Sequence, residues 1–190
     1  MKKKNFYQLK VILKGSKPSI WRRILISSNT LLPDLHKILQ ITMGWTNSHL
    51  HQFIHKGIFF SEPDEEYELD CIDYMAIPIN ELLQKEGDKL IYEYDFGDGW
   101  EHEIILEKII VEENNQIYPK CLEGKNSSPP EDCGGIMGYL NLLEVIADPN
   151  HEEYNELMEW LGVKFHPEKF DKNKVNEMLK ADHYGLISLS

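Results

Sequence analysis

From Phe6 to Lys14 apolar and polar side chains alternate, the period of a strand with one face buried. Gly15-Ser16-Lys17-Pro18 interrupts it, and Ile20 to Ile26 resumes it, so the two segments are predicted to pair as an antiparallel hairpin. Alternation puts Trp21 and Arg23 on one face and Ile20, Arg22 and Ile24 on the other, so one arginine is expected to face solvent or meet an acid. Beyond Thr30, a good helix N-cap, the period changes. Leu31, Leu35, Ile38, Leu39 and Thr42 recur at helical spacing, Pro33 is tolerated in the first turn, and Gly44 stops the run, with His36 at the edge of the buried stripe. His49, His51, Phe53 and His55 then alternate with Leu50, Gln52 and Ile54, which predicts a strand carrying its imidazoles on one side.

Residues 61–75 are acidic and without period, and read as an exposed loop. A short helix over Glu81-Leu82-Leu83 precedes the densest pattern in the chain. Leu90, Tyr92 and Tyr94 alternate into Asp95-Phe96-Gly97-Asp98-Gly99, and Trp100, His102, Ile104 and Leu106 alternate out of it, to about Val111. This is a β-hairpin whose Asp98-Gly99 pair supplies the positive φ angles of a tight primed turn. Residues 118–138 are rich in proline and glycine and read as a long loop, followed by helices over 138–147, 152–161 and 171–179 and a C-terminal tail expected to fray. The pattern predicts a single α+β domain over residues 1–190, a roll with an antiparallel or mixed sheet packed against several helices.

Composition narrows the function classes. A 42% apolar content over 190 residues suffices for a full core, and a net charge of −12 argues against a general phosphate-binding surface, hence against nucleic acid as the partner. No apolar run reaches the roughly 18 residues of a membrane span and no signal-peptide core follows Lys2 to Lys4, so a cytoplasmic protein is expected. Three cysteines, Cys71, Cys121 and Cys133, are an odd number for a disulfide framework. No nucleophile elbow, phosphate loop or dinucleotide fingerprint occurs.

The side chains that remain are imidazoles and carboxylates. His49, His51 and His102 could hold a divalent ion while Asp95 or Asp98 orients water, the catalytic candidates of a metal-assisted hydrolase. Trp21, Arg23, His36, Trp100, Glu131, Asp132 and Cys133 are expected to border the same cleft. A structural reading competes and is favoured: Asp98 forms the turn, His102 is a half-buried strand residue, and Asp95 accepts from turn amides or from Arg23. Cys121 and Cys133 are too far apart for a zinc knuckle, and Glu131-Asp132 are expected to cap a helix beginning near Gly135. The four tryptophans are most simply core.

Taken together, Ile20-Trp21-Arg22-Arg23, Leu35-His36, Met43-Gly44-Trp45 with His49-Leu50-His51, the Asp95-Phe96-Gly97-Asp98-Gly99-Trp100 hairpin and the Pro129-Pro130-Glu131-Asp132-Cys133-Gly134-Gly135 loop resemble the plasmid pRiA4b ORF-3-like family, over about residues 6–180. The resemblance implies an α+β roll associated with plasmids and mobile elements, with no established activity. It also implies a cysteine just before Pro129-Pro130, where this chain has Ser128, which weakens a cysteine-rich metal site. The sequence therefore points to a non-catalytic binding or adaptor domain without a cofactor, its partner a protein or small molecule. A metal-assisted hydrolase is the first alternative and a nucleic-acid accessory protein the second.

Overall fold

The computed structural model describes residues 4–63, 71–112 and 119–181. Within them the chain forms β1 (Lys4–Leu13), β2 (Trp21–Ser27), α1 (Leu32–Met43), β3 (His51–His55), β4 (Ile58–Ser61), β5 (Ile72–Asp73), β6 (Lys89–Tyr94), β7 (Trp100–Glu112), β8 (Lys120–Lys125), α2 (Gly135–Ala147), α3 (Tyr154–Leu161) and α4 (Lys172–Met178). The strands make one open mixed sheet in the order β5-β4-β3-β6-β7-β1-β2-β8. Among the described strands only β4 and β5 pair in parallel. The fold is α+β, as the alternating and helical periods predict, and both long hairpins, β1 with β2 and β6 with β7, are antiparallel.

Alternation decides which face of the sheet is covered. Leu9, Val11 and Leu13 of β1, Ile24 and Ile26 of β2, Leu90 and Tyr92 of β6 and Ile104 and Leu106 of β7 are all buried, together with Leu32, Leu35, Ile38 and Leu39 of α1. The opposite face carries ion pairs: Lys89 with Glu103 at 2.9 Å, Arg23 with Glu107 at 2.7 Å, and Lys14 with Glu101. Arg23 also pairs with Glu123 and lies over Trp21, so Trp21 and Arg23 belong to this solvated face and not to the predicted cleft.

The other arginine is buried. Arg22 is only 1% exposed, and its guanidinium donates to the Thr42, Trp21 and Lys125 carbonyls and to Ser128 Oγ. Its flat face lies 4.0 Å from the Phe170 ring centroid. Burial lowers its pKa to about 10, so it stays cationic at neutral pH, satisfied by oxygen dipoles.

Several boundaries differ from expectation for identifiable reasons. Thr30 does not cap α1; Leu31 holds the N-cap position without a side-chain bond, and the Leu32 amide is satisfied by the Ile77 carbonyl of a neighbouring segment. Residues 118–138 are not all loop, because Lys120–Lys125 pairs with β2 as an edge strand, with Cys121 as its buried anchor. The acidic segment 61–75 contains the end of β4 and the short β5, whereas its residues 64–70, together with Lys2, Lys3 and the tail 182–190, lie outside the described residues. Asp171 does cap α4, accepting from the Asn173 and Lys174 amides, and Gly44 and Gly162 end α1 and α3 in the left-handed conformation.

Candidate functional site

The β6–β7 hairpin closes its ladder at Tyr94 and Trp100, leaving five residues in the turn. A two-residue primed turn is therefore not what forms. The positive φ angles fall on Asp95 (58°) and Gly99 (64°), not on Asp98, and the Gly99 amide donates to the Asp95 carbonyl at 2.6 Å. Asp95 tolerates the left-handed region because its own carboxylate stabilises the turn: Oδ1 accepts from the amides of Gly97 at 3.0 Å and Asp98 at 3.3 Å. Oδ2 faces His49.

A second segment, residues 44–50, is held just as firmly. Gln40 Nε2 donates to Tyr92 Oη at 2.8 Å, Tyr92 Oη meets His36 Nδ1 at 2.8 Å, His36 Nε2 contacts Asn47 Oδ1, and the Asn47 amide donates to Gln40 Oε1 at 3.1 Å. This ring has one consistent direction: the Tyr92 hydroxyl donates to Nδ1, so His36 carries its proton on Nε2 and gives it to Asn47. Asn47 thereby sits at φ 63°, a turn that redirects the chain before β3. Its neighbours are pinned as well. Trp45 Nε1 donates to the Pro129 carbonyl at 2.9 Å, the Thr46 amide and hydroxyl donate to Glu131 Oε2 at 2.9 and 2.7 Å, and the Ser48 amide donates to Tyr94 Oη at 3.0 Å. Tyr94 Oη in turn donates to Glu131 Oε1 at 2.6 Å.

The third segment is the Pro129–Gly135 loop. Glu131 does not cap α2; Gly134 holds that N-cap position without a side-chain bond. Glu131 ties the loop to residues 45–48 instead, and Asp132 points outward. Gly135, at φ 65°, brings the loop onto the hairpin: a Cβ there would lie 2.4 Å from the Asp98 carbonyl oxygen. The two motifs are thus in backbone contact.

These three segments meet at His49. Its Nδ1 lies 3.7 Å from Asp95 Oδ2 and its Nε2 3.4 Å from Asp132 Oδ1. One donor atom from each of His49, Asp95 and Asp132 falls within 4.8 Å of the others, the single such group of metal-ligand type among the described residues. Asp95 is nearly buried, His49 half-buried and Asp132 exposed, so the group opens to solvent on the Asp132 side.

The other candidates are placed elsewhere. His49 lies at a bend ahead of β3, and its imidazole meets the Tyr94 ring edge-on, with centroids 5.7 Å apart. The His51 ring stacks on His36 with centroids 3.4 Å apart and bonds Tyr74 Oη through Nε2 at 2.9 Å. His102 is fully buried against Trp45 and Tyr92. The predicted ligand set of His49, His51 and His102 is therefore not assembled; His51 and His102 belong to an internal aromatic layer. Burial lowers the pKa of His36 and of His102 to about 4 and that of His51 well below its usual value, so all three are neutral at pH 7. Trp100 is part of the same layer, 5.8 Å from Trp45 between ring centroids. Asp98 Oδ2 is buried without a hydrogen-bond partner, close to Cys133. Burial, with Asp98 and Asp132 nearby, raises the Cys133 thiol to about 12, and burial raises Cys121 to about 11, so both stay protonated and are poor nucleophiles.

A family model described as plasmid pRiA4b ORF-3-like protein matches residues 5–174. The chain is 41% identical over 156 residues to the uncharacterized protein y4hQ of Sinorhizobium fredii, an alignment covering 82% of this chain and 80% of that protein. A crystal structure of a protein of unknown function, MM3350 from Methanosarcina mazei Go1, superposes with a TM-score of 0.81 at 35% identity, covering 90% of this chain and 97% of the other. Among the described residues no helix is long and apolar enough to cross a membrane.

Proposed function

The chain belongs to the plasmid pRiA4b ORF-3-like family, and from that premise we propose that it is a cytoplasmic binding domain that takes one divalent transition-metal ion on His49, Asp95 and Asp132. The relatives named above are of unknown function, so the reading rests on this chain's own site. The observation that carries it is the convergence of one imidazole and two carboxylates from three separate segments, with donor atoms within 4.8 Å of one another. Asp95 faces Nδ1 of the ring and Asp132 faces Nε2, so the imidazole has to turn until one nitrogen faces both carboxylates for the three to close on one ion, whose tetrahedral ligand atoms lie about 3.4 Å apart. The surrounding hydrogen bonds do what outer partners of metal ligands do: Asp95 is oriented by two amides and the segment leading to His49 is fixed at Thr46 and Ser48. A mixed nitrogen and oxygen set suits Zn²⁺ or Mn²⁺.

Titration calorimetry of the metal-free protein with Zn²⁺ and Mn²⁺ tests this. One ion per chain is expected, with affinity reduced about tenfold or more by Asp95→Asn and by Asp132→Asn and unchanged by His55→Ala. No uptake at micromolar ion, or undiminished uptake by both Asp variants, removes the reading. A hydrolase is the second reading, favoured by the fact that three protein ligands leave a position for water. Turnover of ester or phosphodiester substrates by the loaded protein, lost in Asp132→Asn, would establish it; a loaded protein without turnover leaves the binding domain.

A further inference from the structure

Helix α3 is amphipathic, with Tyr154, Leu157, Met158 and Leu161 on one stripe, yet none of its eight residues is buried. Hollows lie along its contact with α2. Two adjoining ones, of about 280 and 180 Å³, share Asn141, Leu157 and Trp160 as walls. A third, of about 480 Å³, is lined by Ile146 of α2, Met158 of α3 and Phe165. The first two form a groove with an apolar floor of Leu142, Val145 and Leu157 and with the Trp160 indole, 50% exposed, on its wall. Asp132 stands at one end and Glu153 and Glu156 at the other, and among the described residues no lysine or arginine lines either hollow. Leu142 and Val145 are buried under the groove, so the apolar surface open to a partner is the Trp160 indole and the half-buried Leu157 beside it.

We propose that this groove is a docking site for a short basic segment of a partner protein, one that places a lysine or arginine among apolar side chains. Charge complementarity selects that occupant. The acidic ends attract a cation, and Trp160 offers a π face to it. A second copy of this chain fits poorly, because it would bring another −12 net charge and its own Glu153 and Glu156 to the contact. A small polyamine satisfies the carboxylates but supplies no apolar side chain to pack on Trp160 and Leu157. Asp132 belongs both to this groove and to the His49 group, so a docked segment ends beside the candidate ion site.

Selection of peptides from a random library on the full-length protein, in EDTA so that no ion is bound, tests the proposal independently of the metal reading. Enriched peptides are expected to combine lysine or arginine with leucine or aromatic residues. As synthetic peptides they should change the tryptophan emission of the protein but not that of Trp160→Phe. The double variant Glu153→Gln/Glu156→Gln and the variant Trp160→Ala should each weaken binding about tenfold, while Glu168→Gln, outside the groove, leaves it unchanged. Enrichment of neutral or acidic peptides, no enrichment, affinity unaffected by the groove variants, or displacement of the peptide by equimolar spermine would each overturn it. Metal uptake in the separate titration stands or falls on its own.

Discussion

Asn47 helps to set the course of the chain that leads to His49. It occupies the left-handed region at φ 63°, which an L residue adopts at some cost, and it accepts the only proton that the neutral His36 ring has to give. Asn47→Ala therefore combines backbone strain with a buried ring N–H left without an acceptor, and is expected to lower stability by about 2–3 kcal/mol. Asn47→Gly removes the strain but not the missing acceptor, and should recover about 1 kcal/mol of that loss. Urea unfolding of the two variants checks both statements; equal losses would show that the φ angle carries no strain. Gly138 is constrained differently. A Cβ there would lie 1.8 Å from the Cys133 carbonyl oxygen, so Gly138→Ala must displace backbone, and a loss of more than about 2 kcal/mol is expected in the same measurement.

At the scale of elements, α1, β3 and β7 each contribute one neutral imidazole to the interior, as His36, His51 and His102. Their folded pKa values lie below the roughly 6.5 of an exposed histidine. Above pH 6.5 neither the folded nor the unfolded chain protonates these rings, and their full contribution to stability is present. As pH falls towards 4 the unfolded chain binds protons that the folded one refuses, and the contribution is lost, on the order of 3 kcal/mol each for His36 and His102. Unfolding free energy should thus be flat from pH 8 to 7 and fall steeply between 6.5 and 4; a flat profile down to pH 5 would show that the rings are not neutral inside. These elements are largely legible in the sequence, because alternation in β1, β2, β6 and β7 and the helical stripe of α1 are local patterns. The strand β8 is hidden because its pairing with β2 is non-local, in a segment that proline and glycine mark as loop. The site is half legible. His49, Asp95 and Asp132 all lie in motifs that stand out, but strand alternation groups His49 with His51, whereas the chain bends at His49 and β3 begins only at His51. Asp132 reads as part of a helix cap for the same reason: nothing local says that Glu131 will be drawn to Tyr94 and Thr46.

Across the whole molecule, burial is unevenly distributed, and with it the resistance to local opening. β6, β7 and β1 lie inside the sheet with strands on both sides, and Leu9, Tyr92, Trp100 and Ile104 on them are completely buried. Helix α3 has eight residues, no buried side chain and hollows along its contact with α2. So short a helix has little stability of its own and depends on tertiary packing, which here is incomplete. Amides in α3 should therefore exchange through local openings far below the global unfolding free energy, while those of β6 and β7 exchange only with global unfolding. Native-state hydrogen exchange measures both at once. Protection in α3 equal to that of the central strands would mean that its stripe is as well covered as the core, and the groove beside it would lose the exposed surface that a partner needs. If protection in α3 is low and rises when a basic peptide is added, the helix gains from the partner the packing it lacks alone, and the gain in exchange free energy reports the affinity directly.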